Sequence, residues 1–434
     1  MEILKFIVIG LLGGLASVLT KRGVAVFHDG LRPIIPEYIE GRMDKKALMA
    51  TSFALSFGLV IGFGIPASIA ASTVASILLI HSVLLGTDII GTWSPNTKLG
   101  DYIAFGVGAL YGVLLLVGLG FIVSAFAMLP VNFLPALGEI STPIIVSFAV
   151  FPALVVAYQY GFKKGLIVLA IALVAKQIII KIGAISILDM KIQLNADGMA
   201  LLISMTLMLI LAAREKAKVV EGQAGMSMLV GLFSERVKRI KSNWLLLALT
   251  GGIIAAATSM GMLAGDLISL NLLKDGIKPE AALTALAIAI GFIPLVGTTA
   301  ITTGVYSPAG MKFVFVFGIL IGNPIIAFVA GGLMIIAEIF FLERVAILLE
   351  KYPGIKACSD HIRTATTKVL EIALLVGGMI AAEKIAPKLG FFFVVGLYLI
   401  NKTSKKPFVE MALGPIAAIA LGIIVNVLYF LNLF

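Results

Sequence analysis

Four ionisable residues stand where an acid or a base could carry a proton through an apolar chain. His28 and Asp29 follow the first apolar segment, Glu139 opens the group "EISTP", and Glu338 lies within "GGLMIIAEIFF". Charged groups are costly inside apolar segments and mark ion or proton pathways there, and histidine titrates near neutral pH. We therefore predict His28, Asp29, Glu139 and Glu338 as candidates for coupling to H⁺ or Na⁺.

Each of these residues also has a purely structural interpretation. Asp29 and Gly30 form a turn that leaves His28 in solvent. Glu139 stands at a loop edge, and Glu338 reaches towards the polar end of its helix near Glu343. The sequence leaves both interpretations open.

Glycine and proline interrupt two apolar segments, "IGFGIPASIAAST" at 61–73 and "IGFIPLVGTTAITT" at 290–303. Broken backbone at membrane depth must be covered by protein or line a watery cavity, and exposed half-helix ends attract ions and carboxylates. The alternative for the threonines is a hydroxyl bonded to its own helix. We predict that the substrate contacts residues at the two breaks, namely Gly62, Gly64, Pro66, Thr73, Gly291, Pro294, Thr298, Thr299, Thr302 and Thr303.

The motifs of several enzyme classes are absent. The chain contains no GxxxxGK[ST], GxSxG or HExxH pattern. Its single cysteine, Cys358, excludes a disulfide within the chain and a cysteine-based metal cluster. We expect no catalysis, no metal and no resident cofactor, so that a gradient or a partner supplies any energy.

Composition places the chain in the membrane. It is 60% hydrophobic and 13% charged, whereas soluble domains carry roughly 25% charged residues. Apolar runs long enough to cross a bilayer recur throughout. The net charge of +10 gathers in loops, as the positive-inside rule requires, so we expect contact with lipid and not with nucleic acid.

The loop charges suggest a topology. Lys and Arg number six in 21–46, seven in 214–243 and five in 343–368. All three loops reach the cytoplasm if 281–303 is a re-entrant hairpin. We expect an all-α polytopic protein of about twelve transmembrane helices with broken or re-entrant helices and both termini outside.

Two matches in the same order suggest an internal repeat. "DGLRP" at 29–33 resembles "DGIKP" at 275–279, and the two broken segments follow them. The two copies lie on opposite sides of the membrane, which predicts an inverted-topology repeat. The predicted units are an N-terminal membrane repeat at 1–215, a basic amphipathic cytoplasmic linker at 216–243, and a C-terminal membrane repeat at 244–434.

Several stretches resemble a known family. "AVFHDGLRPIIPEYIEG" at 25–41, "GFIPLVGTTAITTGVYSPAG" at 291–310 and "EIALLVGGMIAAEK" at 371–384 are similar to the YhfT family of bacterial inner-membrane proteins, and the likeness spans nearly the whole chain. The resemblance implies a polytopic membrane protein with a transport role. It brings no substrate or site residues.

We therefore predict a secondary active transporter of a small polar or anionic metabolite in the bacterial inner membrane, with an elevator-type homodimer as its plausible assembly. The alternative is a membrane subunit of a phosphotransferase-type uptake system that works with a soluble phosphocarrier partner. The size and broken-helix layout are similar in architecture to the ascorbate class of those subunits.

Overall fold

The computed structural model describes residues 2–28, 30–32, 34–60, 64–65, 68, 77–187, 190–194, 196–215, 232–349, 353–405 and 410–434. Helices dominate these residues, as predicted, with two short two-stranded sheets. The first half contains α1 (Glu2–Lys21), α2 (Ile34–Ile39), α3 (Lys45–Leu59), β1 (Leu78–Leu79), α4 (Ile80–Trp93), α5 (Lys98–Ala127), α6 (Leu134–Gly138), α7 (Ser141–Phe148), α8 (Phe151–Tyr160), α9 (Phe162–Ile182), β2 (Ala184–Ile187), β3 (Met190–Gln193) and α10 (Ala196–Arg214).

The second half begins with a short basic helix and continues with longer apolar ones. It contains α11 (Leu232–Lys241), α12 (Trp244–Ser259), β4 (Leu263–Ala264), α13 (Leu267–Lys274), α14 (Lys278–Thr303), α15 (Phe313–Leu320), α16 (Pro324–Leu349), α17 (Pro353–Ile385), α18 (Gly390–Thr403) and α19 (Glu410–Phe430).

Within the described residues, seven helices are long and apolar enough to cross a membrane, and the bent pair α11 and α12 raises the number to eight. These results establish an all-helical, membrane-type protein. The predicted number of about twelve crossings stays a prediction, because several apolar segments form shorter helices. Apolar segment 143–160, for example, contains α7 and α8, which end and begin on either side of Ala149 and Val150.

The break predicted inside 290–303 is wrong, and so is the hairpin predicted for 281–303. Both lie in the single helix α14, whose backbone is helical through Gly291 and Pro294. The helix ends at Gly304, which has a left-handed φ of 68° that favours glycine. Irregular backbone follows at 304–312, so the true break lies just beyond the predicted one.

The two halves repeat one order of contacts. The helix α1 packs most closely against α5 and next against α4, while α12 packs most closely against α16 and next against α15. The helices α1 and α12 also contact each other. In addition, α3 packs on the last helix of the second half, α19, and α14 packs on the last long helix of the first half, α10.

Two parallel backbone pairings cross between the halves. Strand β1 pairs with β4, and Leu78 N donates to Met262 O at 2.8 Å. Ala25 forms the other parallel bridge with Tyr306, and Val26 N donates to Tyr306 O at 3.0 Å. Each half therefore contributes two loops. One loop comes directly after its first helix, and the other comes later in the chain, after its third helix. These four loops, 22–28, 77–79, 260–266 and 304–312, are called the crossed loops below.

The two motifs that suggested a repeat do not occupy equivalent places in the fold. "DGLRP" precedes α2, whereas "DGIKP" follows α13, so the two motifs occupy different places in the order of elements. The turn after α2 holds Gly41 with φ 77°, and the turn after α13 holds Gly276 with φ 78°. Both glycines have the left-handed backbone that L residues rarely adopt. By position and conformation, Gly276 corresponds to Gly41 and not to Gly30.

Close glycine contacts set the spacing of α1 and α5. A Cβ atom at Gly108 would lie 2.3 Å from Ser17 Oγ and 2.4 Å from Gly13 O. Such small residues let two membrane helices approach closely. We expect Gly108→Val to lower the free energy of unfolding by about 1–3 kcal/mol, the usual cost of overpacking.

Thermal unfolding of the purified protein in detergent measures this change. Gly106→Val is the matched control on the same helix, because no atom lies within 4 Å of a Cβ placed there. Equal unfolding temperatures for the two variants would contradict the close packing of α1 on α5.

Candidate substrate-binding site

A cavity of about 170 Å³ lies among the crossed loops. Helices from both halves wall it, including α10 and α14. Its polar lining residues are His28, His81, Asp197, Asp266 and Lys312. The rest of the lining is apolar or glycine, with Phe27, Leu59, Leu85, Ile144, Ala149, Gly198, Leu201, Leu267, Ile268, Ile288, Phe292 and Leu370. Apolar walls with a few convergent polar groups are the usual composition of a small-molecule site.

Asp88 on α4 fixes the loop that carries His28. This carboxylate is 0% exposed. It accepts hydrogen bonds from His28 N at 2.8 Å, from Phe27 N at 3.0 Å and from Thr20 Oγ1 at 2.9 Å. A buried charge needs this number of donors to be tolerated. The position of His28 therefore depends on Asp88.

The hydrogen bonds of His28 determine what it offers the cavity. Its Nδ1 accepts from Gly30 N at 2.9 Å. In a neutral imidazole the other nitrogen then carries the proton. His28 is 1% exposed, and its Nε2 has no hydrogen-bond partner among the residues the structure describes. His28, which lines the cavity, thus has a buried N–H donor without an acceptor among the described residues.

Lys312 supplies the positive charge of the cavity. Its backbone is left-handed, with φ 64°, which is strained for a residue other than glycine. Its Nζ donates to Gly265 O at 3.1 Å and lies 4.4 Å from the centre of the Phe292 ring, a cation–π distance. Strain held by surrounding structure is common at binding sites.

The two acids of the cavity already have partners. Asp266 caps α13 by accepting from Ser269 N at 2.8 Å. Asp197 forms an ion pair with Lys176, with Oδ1 2.6 Å from Nζ. Their negative charge is therefore partly compensated before any ligand enters.

A second buried cluster joins the halves close to the crossed loops. Arg32 is 0% exposed, and its Nη1 donates to Thr299 Oγ1 at 2.5 Å. Tyr306 donates its phenolic hydrogen to Glu338 Oε2. Glu338 is 4% exposed, and its Oε1 has no hydrogen-bond partner within the described part of the chain. Because Tyr306 also pairs with Ala25, this cluster is tied to a crossed loop.

The four predicted threonines of α14, namely Thr298, Thr299, Thr302 and Thr303, are buried, and the hydroxyls of the last three donate within their own helix. Thr302 Oγ1 donates to Thr298 O at 2.7 Å, and Thr303 Oγ1 donates to Thr299 O at 2.6 Å. Thr299 Oγ1 donates to Val296 O at 3.2 Å and also accepts from Arg32. They do not line the cavity, and neither does Gly64, where a Cβ would lie 2.6 Å from Ser82 N.

Of the four predicted coupling residues, the structure brings His28 to the cavity and Glu338 to the buried cluster. Glu139 lies elsewhere and forms an ion pair with Lys384 at 2.5 Å. Asp29, Gly62, Pro66 and Thr73 lie outside the described residues, as do the side-chain surroundings of Gly291 and Pro294. Within the described residues, no group of three His, Cys, Asp or Glu could hold a metal ion.

No site role was predicted from the sequence for Asp88, Asp266 or Lys312. A usable signal existed for each of them, because each is an ionisable residue beside or within an apolar run. Their convergence could not be read from the sequence, since it depends on pairings such as Leu78 with Leu263 across both halves.

The comparisons with known proteins agree over the whole chain. A family model described as "YhfT: Protein of unknown function" matches residues 5–434. The "Uncharacterized protein YhfT" of Escherichia coli (strain K12) is 35% identical over 443 residues, which cover 99% of this chain and 98% of that protein. No solved structure matches. A match of this extent confirms the resemblance seen in the sequence: the chain belongs to the YhfT family.

Proposed function

We propose that this protein is a secondary active transporter of a small polar or anionic metabolite in the bacterial inner membrane, and not an enzyme. The observation that carries the proposal is a cavity with five polar residues among its apolar walls, lined from both halves of an apolar helical chain. Transporters bind substrate at such a repeat interface, where discontinuous helices meet near the middle of the bilayer. The starts of the helices α4, α13 and α15 beside the cavity support this proposal.

The order of contacts supports an inverted repeat of 1–215 and 244–434. In each pairing, the loop after the first helix of one half pairs with the loop after the third helix of the other half, since Ala25 pairs with Tyr306 and Leu263 pairs with Leu78. Such reciprocal pairing is expected of two units related by a two-fold axis. In the predicted linker 216–243, α11 contacts both halves, because Arg239 donates to Gly23 O and Arg236 donates to Thr302 O.

Glu338 is the coupling residue that the geometry favours. A buried carboxylate bonded to Tyr306 has the features of a proton carrier, because it can take up a proton on its other oxygen. A cluster of one carboxylate and one phenol offers few of the oxygen ligands that a metal cation prefers. We therefore propose H⁺ before Na⁺ as the coupling ion.

The elevator motion and the homodimer are part of this proposal as expectations from the repeat architecture. The phosphotransferase-type alternative differs in its product. It would deliver a phosphate ester to the inside and require a soluble phosphocarrier, whereas a secondary transporter delivers unmodified substrate.

Two-sided access to the cavity tests transport without knowledge of the substrate. Ala149→Cys is made in a Cys358→Ala background, and right-side-out and inside-out vesicles are treated with a charged, membrane-impermeant maleimide. Ala149 lines the cavity and is buried, and Cys358 is the single native cysteine. We expect labelling in both vesicle orientations, because alternating access opens the cavity to each side in turn.

The control places a cysteine at Leu114 on α5, which is exposed on the protein surface within a candidate membrane span. Lipid should shield this position from the charged reagent in both orientations. Labelling of the Ala149→Cys variant from one side only, or from neither, would argue against a transporter.

A further inference from the structure

We propose that the cavity binds a small monocarboxylate, whose carboxylate accepts hydrogen bonds from Lys312 Nζ and His28 Nε2. This assignment rests on the proposed function in taking the cavity as the substrate site. It adds the sign of the ligand's charge and the two groups that hold it.

Two of the polar residues that line the cavity, His28 and Lys312, offer hydrogen-bond donors. The Nε2–H of His28 has no acceptor among the described residues, because Gly30 N occupies only its other nitrogen. The ammonium of Lys312 has three donors, and Gly265 O accepts one of them. Buried donors are costly when they lack acceptors. A ligand that brings two acceptor oxygens removes this cost, and a carboxylate does so in one group.

The helix ends around the cavity add positive potential. Helix α4 begins at Ile80, next to His81, while α13 begins at Leu267 and α15 begins at Phe313, directly after Lys312. His81, Leu267 and Lys312 all line the cavity. The N-terminus of a helix carries about half a positive charge, which stabilises an anion placed there.

The remaining charges limit the ligand to one negative group. Asp266 and Asp197 also line the cavity; Lys176 pairs with Asp197, and Asp266 interacts electrostatically with Lys312. A phosphate or a dicarboxylate would place a second negative charge near these acids. The walls contributed by Leu85, Leu201 and Ile288 instead suit an uncharged body on the ligand.

A series of four-carbon probes tests the assignment on the purified, full-length protein. Butyrate, succinate, 4-aminobutyrate, n-butylamine and n-butanol have similar lengths and differ in charge. Thermal stabilisation is measured as a function of probe concentration up to about 10 mM, which covers weak binding. We expect butyrate to bind at least about tenfold more tightly than each of the others, because it alone has one carboxylate and an uncharged body.

Two variants locate the site. Lys312→Met keeps the length of the side chain and removes the charge, and we expect it to weaken butyrate binding by about tenfold or more. His28→Asn keeps an acceptor for Gly30 N but loses the distal donor, and we expect a loss of about threefold to tenfold. Lys241→Met is the control, since Lys241 pairs with Glu343 and does not line this cavity.

Three results would overturn the assignment: tightest binding by n-butylamine, 4-aminobutyrate or succinate, no binding by butyrate, or butyrate binding that Lys312→Met leaves unchanged. The probe series on the unmodified protein decides the charge even if a variant fails to fold. Carboxylate binding without two-sided maleimide labelling would keep this inference and reject transport. Two-sided labelling without a preference for butyrate would reject this inference and keep the transport proposal.

Discussion

Asp88→Ala is expected to lower the free energy of unfolding by about 3–5 kcal/mol and to abolish ligand binding at the cavity. Its carboxylate accepts from His28 N, Phe27 N and Thr20 Oγ1, all within 3.1 Å. Alanine would leave these buried donors without their acceptor. It would also remove the negative charge that interacts with buried Arg32.

Asparagine at this position tests whether shape alone is sufficient. Both oxygens of Asp88 face donors, since Oδ1 accepts from Thr20 and Phe27 while Oδ2 accepts from Phe27 and His28. Asparagine can place its amide nitrogen opposite Thr20 Oγ1, which can accept because its own hydrogen has Ala25 O at 3.1 Å. Its oxygen can still accept from His28 N and Phe27 N, so the main loss is the negative charge that interacts with Arg32, and we expect Asp88→Asn to lose less stability than Asp88→Ala.

Thr20→Val is the graded control for the same site. It removes the hydroxyl that can donate to Asp88 Oδ1 or to Ala25 O and leaves both backbone donors to Asp88 paired, so a cost of about 1 kcal/mol is expected. Thermal unfolding and butyrate binding are measured on all three variants. A stable Asp88→Ala protein that still binds butyrate would show that the loop at 24–28 holds His28 without this carboxylate.

Composition and charge were sufficient to predict the class of the protein. An apolar chain with cations gathered in loops can hardly fold except as helices in lipid, and the structure is helical throughout its long elements. The linker helix was also predictable, because the basic residues of 232–241 repeat at helical spacing.

The position of the broken segment was predicted only approximately. Gly291 and Pro294 are helix breakers by type, yet α14 continues past both and ends at Gly304. Neighbouring groups can satisfy the backbone around a proline in a membrane helix, and the hydroxyls of Thr302 and Thr303 satisfy carbonyls in the last turns. Residue type alone does not show at which glycine or proline a helix ends and at which one neighbouring groups satisfy the backbone so that the helix continues.

The site was less predictable than the fold, because its residues come from separate loops. His28 and Lys312 lie far apart in the sequence and reach one cavity through the pairings of Ala25 with Tyr306 and Leu78 with Leu263. A sequence signal existed in the placement of ionisable groups near apolar runs. It predicted His28 and Glu338 but could not show that one lines the cavity and the other lies in a neighbouring cluster.

Glu338→Gln is expected to reduce pH-gradient-driven accumulation of substrate at least about tenfold while preserving exchange of substrate across the membrane. Glutamine has nearly the shape of a protonated glutamate but cannot release a proton. Glu338 is buried and accepts from Tyr306, whose backbone belongs to a crossed loop. A change of protonation at Glu338 would therefore alter a contact of the crossed loop that also carries Lys312.

Butyrate is the first substrate to use in proteoliposomes. Accumulation under an imposed pH gradient reports coupled transport, and counterflow without a gradient reports exchange. Glu343→Gln is the matched control, since Glu343 lies five positions along the same helix and pairs with Lys241 at 2.9 Å at the protein surface. If Glu338→Gln accumulates butyrate as well as the unmodified protein does, the proton enters elsewhere. If it loses counterflow as well, Glu338 acts in substrate movement itself and not specifically in its coupling to the gradient.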